Sequence, residues 1–314
     1  MKALSCLHTM TSFTNLLNPA ETAARLPWQA LVDEITSLLQ DDSVTVAPRL
    51  VQVLPGGGSL FVMPATDRHI AIAKLITFTP ANAASGQPTI QGDVVVFDVA
   101  TGQRIQVLDG PTVTARRTAA VSVLAAQRLS AKAQGPLLVI GAGVQGRAHL
   151  EAFTAVLGIT QVLIASRSPA SANALMQHAR ALGLKAQVVQ DADAALADCP
   201  LTVTCTPAHG MVLGARPRAD GFISAVGAFT PQMVELSPEL CRYVAASGAV
   251  FTDSAEAQHE AGDLLQAGLN PAEFATLGEV VRKNIKPPVG PVLFKSCGWA
   301  GWDLAAARVA RRQH

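Results

Sequence analysis

The stretch from Pro136 to Gly146, which reads PLLVIGAGVQG, decides the fold of this chain. An apolar run ends in glycines with GxGxxG spacing, and a helical pattern follows from about Gln145 to Leu157. Strand, glycine turn and helix in this order are the context that the dinucleotide fingerprint requires. Gly141 permits the tight turn, Gly143 lets the backbone approach a pyrophosphate, and Gly146 allows close packing of the helix on the strand. An ordinary glycine turn inside an α/β domain is the alternative, but the complete context favours a dinucleotide whose phosphates meet the helix N-terminus.

The end of the next strand indicates which dinucleotide is bound. Residues 161–165 read as this second strand, and an Asp or Glu near its end is typical of NAD sites, because it accepts hydrogen bonds from the ribose hydroxyls. This chain has Ser166, Arg167 and Ser168 there. A guanidinium and two hydroxyls suit a 2′-phosphate, and no carboxylate is present to repel it. The sequence therefore favours NADPH, with NADH possible, unless Arg167 is a solvated loop residue.

Length and composition exclude several classes of protein. A chain of 314 residues that is 49% apolar is typical of about two domains with large cores. The net charge of +1 gives no electrostatic reason to expect nucleic acid or an anionic membrane as partner. No apolar run approaches the roughly 18 residues of a membrane span, and the histidines lack metal-ligand spacing, so we predict no metal site. The cysteines are dispersed and odd in number, which favours a reducing, cytoplasmic location. They are Cys6, Cys199, Cys205, Cys241 and Cys297.

The first third of the chain reads as an α+β unit without a cofactor motif. Residues 19–40 place apolar side chains at helical spacing. Short β-like runs broken by glycine and proline follow, at residues 44–47, 49–54, 60–63, 70–78 and 94–98. A helix predicted over residues 114–129 leads directly into the strand before the glycine turn, so we expect it to bridge two domains.

The rest of the chain alternates strands and helices, which predicts a parallel sheet. Further strands are predicted at residues 185–189, 201–206, 222–226 and 250–252, and further helices at 168–182, 254–267, 271–281 and 303–311. Ligands of such sheets bind at the carboxyl ends of the strands, so Thr206-Pro207 and Gly227–Pro231 should face the cofactor. Ser168 is expected to cap its helix, with Pro169 at the first helical position. We expect the last helix to return to the first domain.

Three cations stand in apolar or small-residue surroundings. Arg49 follows Pro48 at a strand start, Lys74 alternates with apolar residues in a strand, and Arg117 lies in the first turn of the bridging helix. A strand lysine in such surroundings is costly unless it meets an anion, and arginine can hold a carboxylate through two hydrogen bonds. Together the three cations indicate a substrate that carries a carboxylate. The alternative is three surface charges with solvated head groups.

Other polar residues are weaker candidates. Asp253, Glu256 and His259 share one predicted helix face, which is more typical of a solvated surface. Cys205 has no histidine near it in sequence to act as a base, so we expect a buried strand residue rather than a nucleophile. His149, on the helix after the glycine turn, is expected to be structural.

An ordered set of short motifs runs from about residue 20 to residue 310. The set comprises Met63-Pro64-Ala65, Lys74 with Asn82, Arg117-Thr118-Ala119-Ala120, Gly141-Ala142-Gly143-Val144-Gln145, and Phe294-Lys295-Ser296 with Asp303-Leu304. Together these motifs resemble the ornithine cyclodeaminase/μ-crystallin family. The resemblance implies an α/β fold with a Rossmann NAD(P)-binding domain, here residues 117–299. A second, smaller α+β domain, here residues 1–116 plus 300–314, would bind the substrate and form a homodimer.

The resemblance also implies roles for individual residues. Lys74 and Arg117 would act in catalysis and, with Arg49, would bind the substrate carboxylate, while Cys297 would lie beside the substrate. The remaining implied residues line the cofactor: they are Gly141, Gly143, Val144, Gln145, Ser166, Arg167, Ser168, Thr206, Val226 and Ser296.

One departure from the family decides which activity to expect. Cyclodeaminases carry an essential aspartate after the fifth strand, two residues before a proline, and Phe229 stands at that position here. Phenylalanine cannot transfer the proton that deamination and cyclisation of ornithine require, but it offers an apolar wall to a flat ring in the substrate site. The μ-crystallin-like branch of the family also lacks this aspartate, and it reduces cyclic ketimines with NADPH. We therefore expect a reductase of Δ1-pyrroline-2-carboxylate and Δ1-piperideine-2-carboxylate that forms L-proline and L-pipecolate.

Two alternatives stay open at this point. One is another enzyme of the family, either an ornithine cyclodeaminase with a displaced acid or an alanine dehydrogenase. The other is a protein of a different class, an NADPH-binding carrier or structural protein.

Overall fold

The computed structural model of the chain describes residues 16–207 and 209–312, so Cys6 lies outside the described residues. The first part of the fold is an antiparallel sheet preceded by two helices, α1 (Pro19–Ala24) and α2 (Trp28–Leu38). The strands are β1 (Thr45–Val46), β2 (Leu50–Val53), β3 (Ser59–Thr66), β4 (Ile70–Phe78), β5 (Ile90–Asp98) and β6 (Arg104–Asp109), with a 3₁₀ helix at Pro80–Ser85. They pair in the order β1-β3-β4-β5-β6, and β2 also pairs with β3.

The predicted helix over residues 19–40 is wrong in its middle, because the chain forms two helices there. Asn18 and Glu21 close a capping box on α1. Pro27 keeps the preceding Leu26 out of the helical conformation, so α2 starts afresh at Trp28. Strand β4 has its predicted bounds, whereas β6 has no counterpart among the predicted strands.

Helix α3 (Gly110–Leu129) connects the two parts of the molecule and is buried along most of its length. Its cap is Asp109, whose Oδ2 accepts a hydrogen bond from the Thr112 N–H at 2.8 Å, so the helix begins at Gly110 rather than at the predicted Thr114. A Cβ at Gly110 would come within 2.6 Å of the Gly92 carbonyl oxygen, so only glycine fits this close approach to β5. The predicted division between domains, at residue 117, falls inside this continuous helix.

The second part is a parallel sheet with helices packed around it. Its strands are β7 (Leu137–Ile140), β8 (Gln161–Ala165), β9 (Lys185–Val188), β10 (Leu201–Thr204), β12 (Phe222–Ala225), β14 (Ala249–Thr252) and β15 (Val292–Lys295), and β11 (His209–Leu213) pairs separately with β13 (Val234–Leu236). The helices are α4 (Val144–Leu157), α5 (Pro169–Ala181), α6 (Ala192–Leu196), α7 (Pro238–Ser247), α8 (Ala257–Glu260), α9 (Gly262–Gln266) and α10 (Leu277–Arg282), with a 3₁₀ turn at Pro271–Glu273. The sheet order is β14-β15-β12-β10-β7-β8-β9. All of these pairs are parallel, as the sequence predicts for a Rossmann unit.

Three features of this part differ from the prediction. Strand β15 was not expected, yet it lies between β12 and β14, and it brings the residues after Lys295 to the edge of the sheet where the glycine turn lies. The predicted helix over residues 254–267 is divided into α8 and α9, because the backbone of Ala261 leaves the helical region with ψ 71°. The predicted helix over residues 271–281 becomes α-helical only from Leu277, at a capping box of Thr276 and Glu279.

Helix α11 (Ala300–Arg312) returns from the parallel sheet to the first part of the molecule, as expected. It packs against α2, α3, β3 and β4. Arg308 joins it there to Glu34, Asp41 and Asp67 through ion pairs of 3.2, 2.6 and 2.5 Å. Among the described residues, no helix combines the length and apolar character needed to cross a membrane.

Candidate functional site

A large cleft of about 1000 Å³ opens at the carboxyl edge of the parallel sheet, and we call it the edge cleft. Its walls come from the turns after β7, β8 and β10, which is where the strand order predicts a dinucleotide. Six of the predicted cofactor residues line it: Gly141, Gly143, Ser166, Arg167, Ser168 and Thr206. The structure thus brings the glycine turn and the proposed phosphate-binding turn to one cleft.

The three glycines of the turn meet three different spatial demands. Gly141 adopts φ +108° and approaches the Cys205 carbonyl oxygen so closely that a Cβ would lie 2.7 Å from it. A Cβ at Gly146 would overlap the Gly141 carbonyl oxygen, so helix α4 could not pack on its strand. Gly143 has no heavy atom within 4 Å of its Cβ position, and no side chain caps α4. The open space and the uncapped helix N-terminus fit a pyrophosphate group.

The turn after β8 carries the predicted selectivity for NADPH. Arg167 is exposed on the wall of the edge cleft, where it can reach a 2′-phosphate or remain solvated. Ser168 caps α5 as predicted, since its Oγ accepts a hydrogen bond from the Ser171 N–H at 3.2 Å.

Four predicted cofactor residues lie outside the walls of the edge cleft. The Val144 side chain is 71% exposed and borders a separate cavity beside Trp28, so only its backbone N–H is available to a phosphate. Gln145 is half-buried in the first turn of α4, and it lines neither the edge cleft nor the smaller cavity described next. Val226 and Ser296 line the smaller cavity described next, which marks where a bound cofactor and a substrate would meet.

A second cavity of about 130 Å³ lies between the antiparallel sheet and the parallel sheet, and we call it the inner cavity. It contains all five residues that the sequence analysis assigned to the substrate: Arg49, Lys74, Arg117, Phe229 and Cys297. The rest of its wall is mainly apolar and comes from β3, β4 and the start of β5: Phe61, Met63, Ile76, Phe78 and Ile90. Cations at one side and apolar side chains around them suit a small carboxylate with a hydrocarbon ring.

Lys74 and Arg117 share one buried carboxylate, Asp303 of helix α11. The Lys74 Nζ donates a hydrogen bond to Asp303 Oδ1 at 3.0 Å, and the Arg117 Nε lies 3.5 Å from the same oxygen. The side chains of Lys74 and Asp303 are 1% and 0% exposed. Burial lowers the pKa of Lys74 to about 8, although Asp303 opposes that shift. Asp303 was not among the predicted site residues, but a lone carboxylate in the apolar run Trp302–Ala307 was a signal that could have found it.

Arg49 is held by two carboxylates and a backbone carbonyl. Its Nη2 donates to the Gly298 carbonyl oxygen at 2.7 Å and to Glu256 at 3.2 Å, and it lies 3.0 Å from Glu260 Oε2. Burial raises the pKa of Glu260 to about 7, with Arg49 lowering it and Glu256 and Asp253 raising it. The solvated face predicted for Asp253, Glu256 and His259 is wrong for Asp253, which is buried in the turn after β15, and for Glu256, which is half-buried against Arg49; His259 is exposed as predicted.

Two nitrogen atoms around the inner cavity are buried without a hydrogen-bond partner: Arg49 Nε and Arg117 Nε. Buried N–H donors are rarely left unpaired, and each one costs free energy unless an acceptor satisfies it. Both arginines line the inner cavity. The nearest acceptor of the Arg117 Nε is Asp303 Oδ1 at 3.5 Å, and Asp303 Oδ2 is likewise buried without a hydrogen-bond partner.

Asp253 shapes the turn that follows β15. Its Oδ2 accepts hydrogen bonds from the Ser296 hydroxyl at 2.8 Å, the Cys297 N–H at 3.1 Å and the Gly298 N–H at 2.7 Å. Burial raises the pKa of the Cys297 thiol above its usual range, so Cys297 is a neutral wall of the cavity rather than a nucleophile.

A second buried carboxylate, Glu235, joins the turns after β10 and β12. It accepts hydrogen bonds from the Thr206 N–H at 2.6 Å and the Gly227 N–H at 2.7 Å. Behind it, Asp263 binds the Glu235 N–H at 2.6 Å and pairs with Lys295 at 2.8 Å. This network fixes the edge of the sheet where the edge cleft and the inner cavity meet, and neither Glu235 nor Asp263 was predicted.

The weaker candidates take structural positions. His149 is fully buried between the Ser122 hydroxyl at 2.9 Å and the Gln145 carbonyl oxygen at 2.8 Å, and burial lowers its pKa to about 4. Cys205 is buried, and burial raises its pKa well above the usual value, as expected for an unreactive thiol. Within residues 16–207 and 209–312, no group of three or more His, Cys, Asp or Glu is placed to hold a metal ion.

Comparison with known proteins gives consistent matches. The family model for the ornithine cyclodeaminase/mu-crystallin family matches residues 19–313. Delta(1)-pyrroline-2-carboxylate reductase 2 of Burkholderia ambifaria is 38% identical over 307 residues, covering 96% of this chain and 97% of the relative. The Delta(1)-pyrroline-2-carboxylate/Delta(1)-piperideine-2-carboxylate reductase of Azospirillum brasilense is 38% identical over 299 residues, covering 94% of each chain.

A solved structure confirms the predicted fold. The Delta(1)-pyrroline-2-carboxylate reductase of Thermococcus litoralis, in complex with NADH and L-proline, superposes with a TM-score of 0.87 at 24% identity. The superposition covers 95% of this chain and 97% of that one.

Proposed function

The chain belongs to the ornithine cyclodeaminase/mu-crystallin family, and we propose that it is an NAD(P)H-dependent reductase of cyclic ketimines. Its substrates are Δ1-pyrroline-2-carboxylate and Δ1-piperideine-2-carboxylate, and its products are L-proline and L-pipecolate. Two relatives that match nearly the whole chain at 38% identity support this proposal: one is a reductase of Δ1-pyrroline-2-carboxylate, and the other is a reductase of both imines.

One observation in the structure carries the proposal. Arg49, Lys74 and Arg117 stand in the inner cavity with Phe229, and Val226 and Ser296 join that cavity to the cofactor side. Phe229 cannot move a proton, so the cavity is built for a ring that only has to be held and oriented. The cations suit the carboxylate of the substrate, and the apolar wall suits the methylene groups of a five- or six-membered ring.

The residues of this chain orient the imine and control its protons. The bound cofactor supplies the hydride that C2 of the ring accepts. Arg49 and Arg117 hold the two carboxylate oxygens, which fixes C2 with respect to the side of the cavity at Val226. Lys74 binds the same carboxylate or keeps a proton near the imine nitrogen. Because the reactive form is the iminium ion, which forms when the imine nitrogen takes up a proton from water, a stronger acid than Lys74 is not required.

NADPH is the preferred cofactor in this proposal, although NADH fits the same cleft. The support is Arg167, which is exposed on the wall of the edge cleft without a neighbouring carboxylate in the turn. Replacing Arg167 by alanine removes a charge-assisted contact with the 2′-phosphate, which should cost about 1.5–3 kcal/mol of NADPH binding and little NADH binding.

We propose that the chain forms a homodimer. We also propose that the protein is located in the cytoplasm. The face of the antiparallel sheet that points away from the inner cavity carries a cross-strand row of Leu50, Val62, Leu75 and Asp93. Leu50 and Leu75 are 55% and 41% exposed there, so the row offers apolar surface to a homodimer. Free, buried thiols at Cys199, Cys205, Cys241 and Cys297 fit a reducing compartment.

A panel of turnover assays tests the proposed function. Oxidation of NADPH and of NADH is followed with each cyclic imine, and with pyruvate plus ammonia, while ammonia release is followed with ornithine. We expect turnover with the cyclic imines, a higher kcat/KM with NADPH than with NADH, and erosion of that difference in Arg167→Ala. Turnover with pyruvate and ammonia alone would identify an alanine dehydrogenase, steady ammonia release from ornithine would identify a cyclodeaminase, and binding of NADPH without turnover would identify a carrier.

A further inference from the structure

Asp303 lies where helix α11 crosses beneath the inner cavity. The helix is apolar at this point, and the neighbouring Trp302 and Leu304 are fully buried. A carboxylate in such surroundings is unfavourable unless it meets a cation. Asp303 meets two, since Oδ1 lies 3.0 Å from Lys74 Nζ and 3.5 Å from Arg117 Nε. It does not line the inner cavity itself.

We propose that Asp303 is a positioning residue that keeps Lys74 charged and holds Arg117 beside it in the cavity. It touches neither substrate nor cofactor, and it acts only through these two cations. The proposal rests on the proposed function, because it assumes that Lys74 and Arg117 receive a substrate carboxylate.

The charges around Lys74 explain why it needs Asp303. The charged groups with the largest effects on Lys74 are Asp303 from α11, Arg117 from α3 and Arg49, which directly precedes β2. Burial and the two arginines lower the pKa of Lys74 and Asp303 raises it, which leaves the pKa at about 8. Without Asp303, a fully buried amine would face two guanidinium groups, and its neutral form would be favoured at neutral pH.

Binding of a carboxylate without turnover reports directly on this charge. The ligand is pyrrole-2-carboxylate, a flat five-membered ring whose own charge stays constant between about pH 6 and pH 9. Its dissociation constant for the NADPH-loaded protein is measured by calorimetry across that range. For the unmodified protein we expect affinity to fall as the pH rises through the Lys74 pKa of about 8, because Lys74 then loses its proton.

Asp303→Asn should move this loss of affinity to lower pH by about 1–3 units, because the one group that raises the Lys74 pKa is gone. At pH 8 its affinity should be at least about fivefold lower than that of the unmodified protein, while the NADPH affinity stays the same. Asp303→Glu keeps a carboxylate beside Lys74, so its affinity for pyrrole-2-carboxylate should fall at the same pH as that of the unmodified protein. Asp67→Asn is the matched control, since Asp67 is also a buried carboxylate paired with a cation, Arg308 of α11, but it lies outside the cavity. It should leave the pH dependence unchanged.

An Asp303→Asn protein with the pH dependence of the unmodified chain would overturn the proposal. If that variant does not fold, Lys74→Gln/Asp303→Asn decides, because it buries no unpaired lysine. Recovery of folding in the double variant supports the role of Asp303 in neutralising Lys74, and continued misfolding makes Asp303 purely structural. A protein that reduces no cyclic imine overturns the proposed function, yet its carboxylate binding still tests Asp303. A protein that binds no carboxylate overturns both.

Discussion

At the scale of single residues, Arg49 is the cation of the inner cavity that is held by the most carboxylates. Glu256, Glu260 and the Gly298 carbonyl oxygen all approach its Nη2. A substrate carboxylate must therefore compete with resident carboxylates for this guanidinium. Glu260 is the competitor that protonation can remove near neutral pH, since burial raises its pKa to about 7.

We predict that carboxylates bind more weakly as the pH rises through about 7, the pKa of Glu260. Below that pH Glu260 is neutral and leaves Arg49 to the ligand, whereas above it the ionised carboxylate competes. Glu260→Gln should abolish this lower step and leave the step near pH 8 that belongs to Lys74. The measurement is the pyrrole-2-carboxylate affinity as a function of pH. Glu256→Gln is the control at the same arginine: it should keep a lower step but move it to lower pH, because Glu256 raises the pKa of Glu260. A lower step that survives in Glu260→Gln would contradict the prediction.

Substrate binding should depend on the shape of the Arg117 side chain as well as on its charge. Its guanidinium can hold two carboxylate oxygens at once, and the ammonium of a lysine cannot reproduce that geometry. We predict that Arg117→Lys impairs kcat/KM for both cyclic imines, and that Arg117→Ala costs about 2–5 kcal/mol because the buried carboxylate is left unpaired. The NADPH dissociation constant serves as the control and should barely change, since the glycine turn binds the distal part of the cofactor. Wild-type turnover in both variants would show that Arg117 takes no part in binding the substrate.

At the scale of secondary-structure elements, the turn after β15 carries a backbone demand. Gly298 adopts φ +93°, a left-handed conformation, and a Cβ there would lie 3.2 Å from both Nη atoms of Arg117. The turn is further fixed by the hydrogen bonds that Asp253 accepts from Cys297 and Gly298. The Arg117 guanidinium thus packs against the Cα of Gly298, in space that any larger side chain would occupy.

We predict that Gly298→Ala lowers kcat/KM for the cyclic imines, because the new methyl group strains the turn and displaces the Arg117 guanidinium. The left-handed conformation alone should cost about 1–2 kcal/mol of stability. Gly183→Ala isolates that cost: Gly183 has φ +84° and no heavy atom within 4 Å of its Cβ position. Both variants should lose similar stability in thermal unfolding, but only Gly298→Ala should lose activity. If Gly298→Ala and Gly183→Ala had the same kcat/KM, the turn after β15 would not determine the position of the Arg117 guanidinium.

The sequence predicted elements well where the pattern is local. Strand β4 has the predicted bounds, and Ser168 caps α5, because alternation and capping depend on a few neighbouring residues. Strand β15 was missed because its four residues lie between Pro291 and the polar Ser296, and its burial comes from β12 and β14 on either side. The cations of the site could be predicted from charges in apolar runs. Glu260 could not, because the sequence spacing of Asp253, Glu256 and Glu260 is the same in a solvated helix.

At the scale of the whole molecule, the site exists only where the two sheets meet. Lys74 comes from the antiparallel sheet, Arg117 from the connecting helix, and Phe229 from a loop of the parallel sheet. A change in the relative position of the sheets would alter the distances among these groups. The outward face of the antiparallel sheet is therefore a surface where a second copy could stabilise the arrangement.

We predict that the protein is a dimer and that Leu75→Glu converts it to a monomer. Leu75 is an exposed apolar residue of the cross-strand row, and a second carboxylate there, beside Asp93, would have to be desolvated in the proposed interface. Leu182→Glu is the control, because Leu182 is 44% exposed at the end of α5, a helix that packs against β8 and β9 of the parallel sheet. Molar mass from light scattering measures the outcome. A monomeric unmodified protein, or a dimer that survives Leu75→Glu, would contradict this interface.

The return of helix α11 also sets the order in which the chain can fold during synthesis. Trp302 and Leu304 complete the same hydrophobic core as Leu31 and Ile72, yet the ribosome must deliver the whole parallel sheet before α11 emerges. Contacts so distant in sequence slow folding and leave apolar surface uncovered in the meantime. We expect the hydrophobic core beside the nascent antiparallel sheet to stay incomplete until helix α11 packs against it. Chaperones would bind the exposed apolar surface in that interval.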